Sequence, residues 1–105
     1  MKFAKKFLNL FSLKRFKVEG RSMQPSLHPG DRVIAFTDKH SLQRIMENEL
    51  VIAKNPAGKT ILKRVQKIHG NKFFLTGDNK EESTDSREFG LLERERIIGK
   101  VWKKY

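Results

Sequence analysis

Apolar and polar positions follow two rhythms along the 105-residue chain. Over residues 2–13 the period is helical. Phe3, Ala4, Phe7, Leu8, Leu10 and Phe11 fall on one side, Lys2, Lys5, Lys6 and Asn9 on the other, as in an amphipathic helix. The rhythm fails at Lys14 and Arg15, which would land on the apolar side. From Val18 the texture changes. Short runs rich in β-branched and aromatic residues predict strands over 32–36, 50–54, 59–68, 73–76 and 97–102. Between them, 26–31, 55–58 and 69–71 read as turns, 37–49 as a polar, weakly helical connection and 77–90 as a polar loop. The predicted fold class is mainly β. A basic amphipathic N-terminal arm (1–17) precedes a compact antiparallel β domain (18–105).

Composition changes that picture little. The length allows one modest core. No cysteine is present, so packing alone must hold the fold. The net charge of +11 favours an anionic contact. More than half of the excess lies in residues 1–21, where Lys2, Lys5, Lys6, Lys14, Arg15, Lys17 and Arg21 face only Glu19. The arm can therefore lie on an anionic membrane surface or dock on protein, its lysines solvated. A nucleic-acid-binding module is the rival class. No helix-turn-helix, aromatic RNA-binding motif or zinc finger supports it, and no nucleic acid partner is expected. His28, His40 and His69 are scattered without ligand spacing, so neither metal nor cofactor is expected. His28 stands before Pro29 in a turn, with no carboxylate placed to orient it toward Ser22.

The candidate chemistry rests on a lysine and a serine. Strand alternation puts Ile61, Lys63 and Val65 on one face, Leu62, Arg64 and Gln66 on the other. An amine held among apolar neighbours is poorly solvated, and desolvation disfavours its charged form. A neutral lysine can take a proton from a hydroxyl, which is what a Ser–Lys dyad requires. Taken singly, such a lysine more often snorkels to solvent. Ser22 lies in a loop between Gly20 and Pro25, where glycine permits close backbone approach and proline limits motion.

Three separated segments sharpen this. Ser22-Met23-x-Pro25-Ser26-Leu27 is followed by Lys63-Arg64, then by Gly77-Asp78-Asn79 and Ser83-x-Asp85-Ser86-Arg87-x-Phe89-Gly90. In order and spacing this set resembles the motifs of the signal peptidase I family, Ser/Lys peptidases of the S26 type. The resemblance covers residues 18–102. It implies a serine endopeptidase with Ser22 as nucleophile and Lys63 as general base. Ser83 would orient the lysine amine, and Asp85 with Arg87 would fix the loop carrying Ser83. Met23 would pack beneath the nucleophile. Gly77, Asp78 and Asn79 read as a structural turn. The chain departs from the pattern at Gly20, where some members carry an oxyanion-binding serine, which leaves that task to backbone N–H groups, chiefly that of Ser22. Lys80 stands where arginine is frequent. A short Lys63–Gly77 interval leaves no room for the inserted domain of some relatives. Repressor-type self-cleaving Ser–Lys proteins share the Gly-x-Ser-Met start but lack the Asp-Ser-Arg loop.

No run approaches the ~20 apolar residues of a spanning helix, and 1–11 is too short and too interrupted for an export signal. The expected location is cytoplasmic, at most peripheral to a membrane. The expected partner is a precursor protein bound as an extended peptide, from which an N-terminal signal or pro-segment is removed. The short soluble branch that matures nickel-type superoxide dismutase fits the compact length. A membrane-associated peptidase acting on exported preproteins is the alternative.

Overall fold

Residues 12–105 are described by the structure, a computed structural model. The predicted helix over 2–13 lies almost wholly outside the described residues. Among the described residues seven strands form one antiparallel sheet: β1 (Leu13–Lys17), β2 (Arg32–Phe36), β3 (Leu50–Lys54), β4 (Thr60–His69), β5 (Lys72–Thr76), β6 (Leu92–Glu93) and β7 (Ile97–Lys104). Their spatial order is β1-β2-β7-β3-β4-β5-β6. Short helical segments punctuate the connections: α1 (Lys39–Leu42), α2 (Ser86–Phe89) and two 3-10 turns, η1 (Lys80–Glu82) and η2 (Arg94–Arg96).

The mainly β expectation holds, and the strands over 32–36 and 50–54 match residue for residue. Two strands were not anticipated. Residues 13–17, the end of the expected arm, where helical periodicity fails at Lys14 and Arg15, form β1. Lys14 pairs with Ala35 and Phe16 with Val33. The alternation that fails as a helix succeeds as a strand, because period 2 places Phe16 inward and Leu13, Arg15 and Lys17 outward. The second is β6, only two residues long and held by pairing with β5.

Register shifts interrupt three ladders, at Ile34/Ala35, Ile52/Ala53 and Val65/Lys67. Bulges of this kind bend and twist a sheet. The curled sheet encloses two apolar clusters. One gathers Val51, Ala53, Val65, Phe73, Leu75 and Ile97, the other Val18, Met23, Leu27, Val33, Ala35 and Ile52. Strand β3 divides its side chains between them, as pleating demands. The loop from Val18 to Asp31 closes on itself through Val18 N–H to the Asp31 carbonyl (2.7 Å) and Gly30 N–H to that of Val18 (2.9 Å). It carries Ser22 across the second cluster. Among the described residues no helix is long and apolar enough to cross a membrane.

Candidate active site

Lys63 enters the site from β4. Its register partner is Val51, and the predicted alternation is observed: Lys63 and Val65 are buried, while Gln66 is exposed. Only 4% of Lys63 is accessible. Burial pushes its pKa down. Asp85 opposes that shift, while Arg87 and Lys59 add to it.

The amine is not left to wander. Lys63 Nζ donates to Ser83 Oγ at 3.1 Å, and Ser83 Oγ donates to Asp85 Oδ2 at 2.7 Å. Asp85 is wholly buried and also accepts from Gly77 N–H (2.9 Å), Arg87 N–H (3.1 Å), Arg87 Nε (2.9 Å) and an Arg87 terminal nitrogen (2.8 Å). Burial alone would raise the Asp85 pKa. The Arg87 guanidinium and the Gly77 and Ser83 donors outweigh it and hold the carboxyl well below the usual carboxylate range. An ionised carboxylate only accepts hydrogen bonds. The Ser83 hydrogen is therefore committed to Asp85, and the Ser83 oxygen can only accept from the lysine. One N–H of a neutral Lys63 is fixed in direction, which leaves its lone pair only the two remaining tetrahedral positions.

Asp85 caps α2 through the Arg87 N–H, the reason this loop turns where it does. Arg87 reaches back to the Lys80 carbonyl at 3.3 Å, tying η1 to the same centre.

Ser22 arrives from the other half of the sheet. Gly20 precedes it with φ of 73°, a left-handed conformation that glycine adopts without a Cβ penalty. Met23 is 1% exposed and anchors the loop in the second core cluster. Pro25 follows a cis peptide bond. Ser22 and Lys63 line one groove of about 680 Å³, walled by Phe16 to Met23 on one side and by Lys59 to Lys63 on the other, with Glu82 and Thr84 at its rim. Among the described residues Lys63 bonds Ser83, not Ser22, and the Ser22 N–H donates to no protein acceptor.

The turn at 77–79 does more than the sequence reading allowed. Asn79 N–H donates to the Ser22 carbonyl at 2.8 Å, and its side-chain amide to the Arg21 carbonyl at 3.1 Å. Asp78 accepts two bonds from Arg64, at 2.8 and 2.7 Å, and one from Ser26 at 2.6 Å. Arg64 holds the Asp78 pKa down, with Ser26 adding to the effect. Gly77 packs so closely that a Cβ there would lie 2.6 Å from the Ser22 carbonyl oxygen and 2.6 Å from Ser83 Cβ. One tripeptide thus fastens the Ser22 loop to strand β4, beside Lys63, and to the Ser83 loop. A clue lay in the sequence: Arg64, on the strand face opposite Lys63, needs an acid, and Asp78 follows the next strand. Gly20, Ser22, Met23 and Lys63 line the groove, and Ser83, Asp85 and Arg87 are linked to Lys63 through the hydrogen bonds described above. Asp78, Asn79, Arg64 and Ser26 are the additions.

Comparison with known proteins agrees with the motifs. Residues 3–72 and 65–105 match the sequence profile of the family described as "Signal peptidase, peptidase S26". The chain is similar to mitochondrial inner membrane protease subunit 1 of Mus musculus, 31% identical over 109 residues, covering 79% of this chain and 66% of that protein. It is 23% identical over 137 residues to signal peptidase I V of Bacillus subtilis (strain 168), covering 82% of each. A 34-residue stretch is 53% identical to signal peptidase IB of Staphylococcus aureus (strain Mu50 / ATCC 700699), covering 32% of this chain and 18% of that protein. The chain thus spans just under two thirds of the length of its mitochondrial relative. With motifs and profile in agreement over nearly its whole length, the chain belongs to the signal peptidase family, peptidase S26.

Proposed function

We propose that this chain is a serine endopeptidase in which Ser22 is the nucleophile and Lys63 the general base. The observation that carries the reading is the buried Lys63 amine, held by Ser83 and Asp85 in the groove that Ser22 lines. Burial favours the neutral amine, and a neutral amine can take the Ser22 proton as Oγ attacks the scissile carbonyl. The ammonium so formed gives that proton to the leaving amine. A water, deprotonated by the same nitrogen, then hydrolyses the ester on Ser22. The Ser22 N–H supplies a donor for the oxyanion.

The substrate lies extended in the groove. The ladder between β4 and β5 begins at Arg64, so residues 60–63 offer main-chain groups on that side for an added strand. Substrates are precursors carrying an N-terminal extension. The names of the relatives favour signal-bearing preproteins; the Val18-Glu19-Gly20-Arg21-Ser22-Met23 run resembles the branch that matures nickel-type superoxide dismutase, whose precursor is the other candidate. Mass spectrometry of each precursor after incubation decides between them. Wild type should cut at one bond, while Ser22→Ala and Lys63→Arg should leave the precursor intact, because a guanidinium stays protonated. Turnover by either variant refutes the assigned roles.

A further inference from the structure

The groove that Ser22 and Lys63 line carries charges the reaction does not use. Its two walls run in the same direction, because the antiparallel steps from β1 through β2, β7 and β3 to β4 leave β1 and β4 pointing alike. Residues 16–22 lead to Ser22 along one wall, and residues 59–63 lead to Lys63 along the other. Lys17 stands five residues before Ser22 and Lys59 four before Lys63, so both flank the end of the groove remote from the reacting atoms. Their backbones are held. Lys17 pairs with Arg32. The Lys59 N–H donates to Asn55 Oδ1 at 2.9 Å, and its carbonyl accepts from the Asn55 N–H at 2.9 Å. Both side chains are exposed. The ion pairs among the described residues engage Arg64, Arg87, Lys100 and Lys104, so neither Lys17 nor Lys59 is matched by a carboxylate there. Two acids also line the groove, but Glu82 adjoins Ser83 and Glu19 stands three residues before Ser22, both nearer the reacting end.

We infer that Lys17 and Lys59 form a subsite for an acidic side chain of the substrate, roughly three or four residues from the bond cut; the inference rests on the peptidase reading above. The spacing follows from strand geometry. A peptide added beside residues 60–63 has the rise of β4 itself, about 3.3 Å per residue. Its residue four places from the cut bond therefore lies beside Lys59, about 13 Å along the groove. The Lys59 charge is felt at Lys63, where it helps to lower the pKa. The ammonium thus leans along the groove toward the site, which brings the third residue within its reach as well. An aspartate or glutamate at that position would meet two cations from opposite walls. A lysine or arginine there would meet two like charges.

The test is digestion of a proteome-derived peptide library by the full-length protein, with the cut bonds located by mass spectrometry and Ser22→Ala as the blank. The expected result is enrichment of Asp and Glu at one position, three or four residues to one side of the bond. Lys17→Gln with Lys59→Gln should abolish that enrichment, and Lys59→Glu should replace it by Lys and Arg. Enrichment is a ratio within one digest, so a change in the basicity of Lys63 cancels. For two peptides that differ only by Asp or Asn at that position, KM should be roughly three- to ten-fold lower for the Asp peptide at low salt. The gap should close in about 1 M NaCl. A bound acid offsets the Lys59 charge at Lys63, so the rising limb of kcat should lie at higher pH for the Asp peptide than for the Asn peptide. Cuts that vanish in Ser22→Ala yet show no acidic preference, or a preference that survives the lysine substitutions, overturn the subsite and leave Ser22 as nucleophile. Cuts that persist in Ser22→Ala, or no cuts at all, overturn both.

Discussion

Replacing Gly77 by alanine tests whether the close packing at the junction of the three loops sets the catalytic geometry. The new methyl carbon would lie 2.6 Å from both the Ser22 carbonyl oxygen and Ser83 Cβ, and closer still to Ser83 Oγ. Ordinary carbon contacts begin near ~3.5 Å, so the loops bearing Ser22 and Ser83 must part by roughly 0.5–1 Å. Overpacking of this size costs about 1–3 kcal/mol in stability, or roughly 4–8 °C in Tm for each kcal/mol in a domain of this size. The catalytic loss should be larger than that implies. A 1 Å misplacement of reacting groups costs about 100-fold, so kcat/KM should fall roughly 30- to 100-fold at a temperature where the variant is fully folded. Gly70→Ala is the control. Its φ of 60° also strains a side chain, but nothing lies near the added carbon. It should lower Tm comparably and leave kcat/KM within about two-fold. Circular dichroism melts and initial rates on a precursor or a fluorogenic peptide, measured on the same samples, separate the two effects. Wild-type kcat/KM in folded Gly77→Ala would refute the argument, as would equal losses in both variants.

Other changes probe the charges. Asp85→Asn removes the ionised acceptor of several buried bonds and should destabilise the fold by about 2–3 kcal/mol, measured by urea unfolding. In the wild type the depressed Asp85 pKa contributes stability that is complete above the unfolded value near ~4 and is lost as pH falls toward the folded one; Asp85→Asn should lose that part of the acid sensitivity. Lys59 helps to lower the Lys63 pKa, so Lys59→Gln should move the rising limb of the kcat/KM–pH profile to higher pH, and an unmoved or falling limb would contradict Lys63 as base. Arg64→Lys cannot supply both bonds to Asp78 and should lower kcat/KM roughly 3- to 10-fold with a stability loss of about 1 kcal/mol, read from rates and melts together.

Much of this was legible before any coordinates. The strands over 32–36 and 50–54 show because β-branched and aromatic residues are bounded by turn formers. Lys63 shows because period 2 seats it between Ile61 and Val65. Other features were hidden for physical reasons. Strand β1 reads as a poor helix, since LKRFK carries three cations and its strand character comes only from pairing with β2. The roles of Asp78 and Asn79 depend on a loop more than fifty residues earlier in the chain, and local turn chemistry says nothing of what the turn will grip. The same holds for the committed Ser83 hydrogen, which follows from a carboxylate whose burial only the folded loop creates.

The position of β7 carries a consequence for biosynthesis. Ser22 belongs to the segment leading into β2, and Lys63 to β4, yet β2 and β3 never touch as neighbours; the last strand in sequence, β7, lies between them. Until residues 97–104 are in place, the serine-bearing and lysine-bearing portions lack the strand that joins their ladders, and only loop contacts such as those of Asp78 and Asn79 bridge them. A chain without β7 would therefore carry Ser22 and Lys63 on two separate ladders, lacking the strand that brings them into one sheet.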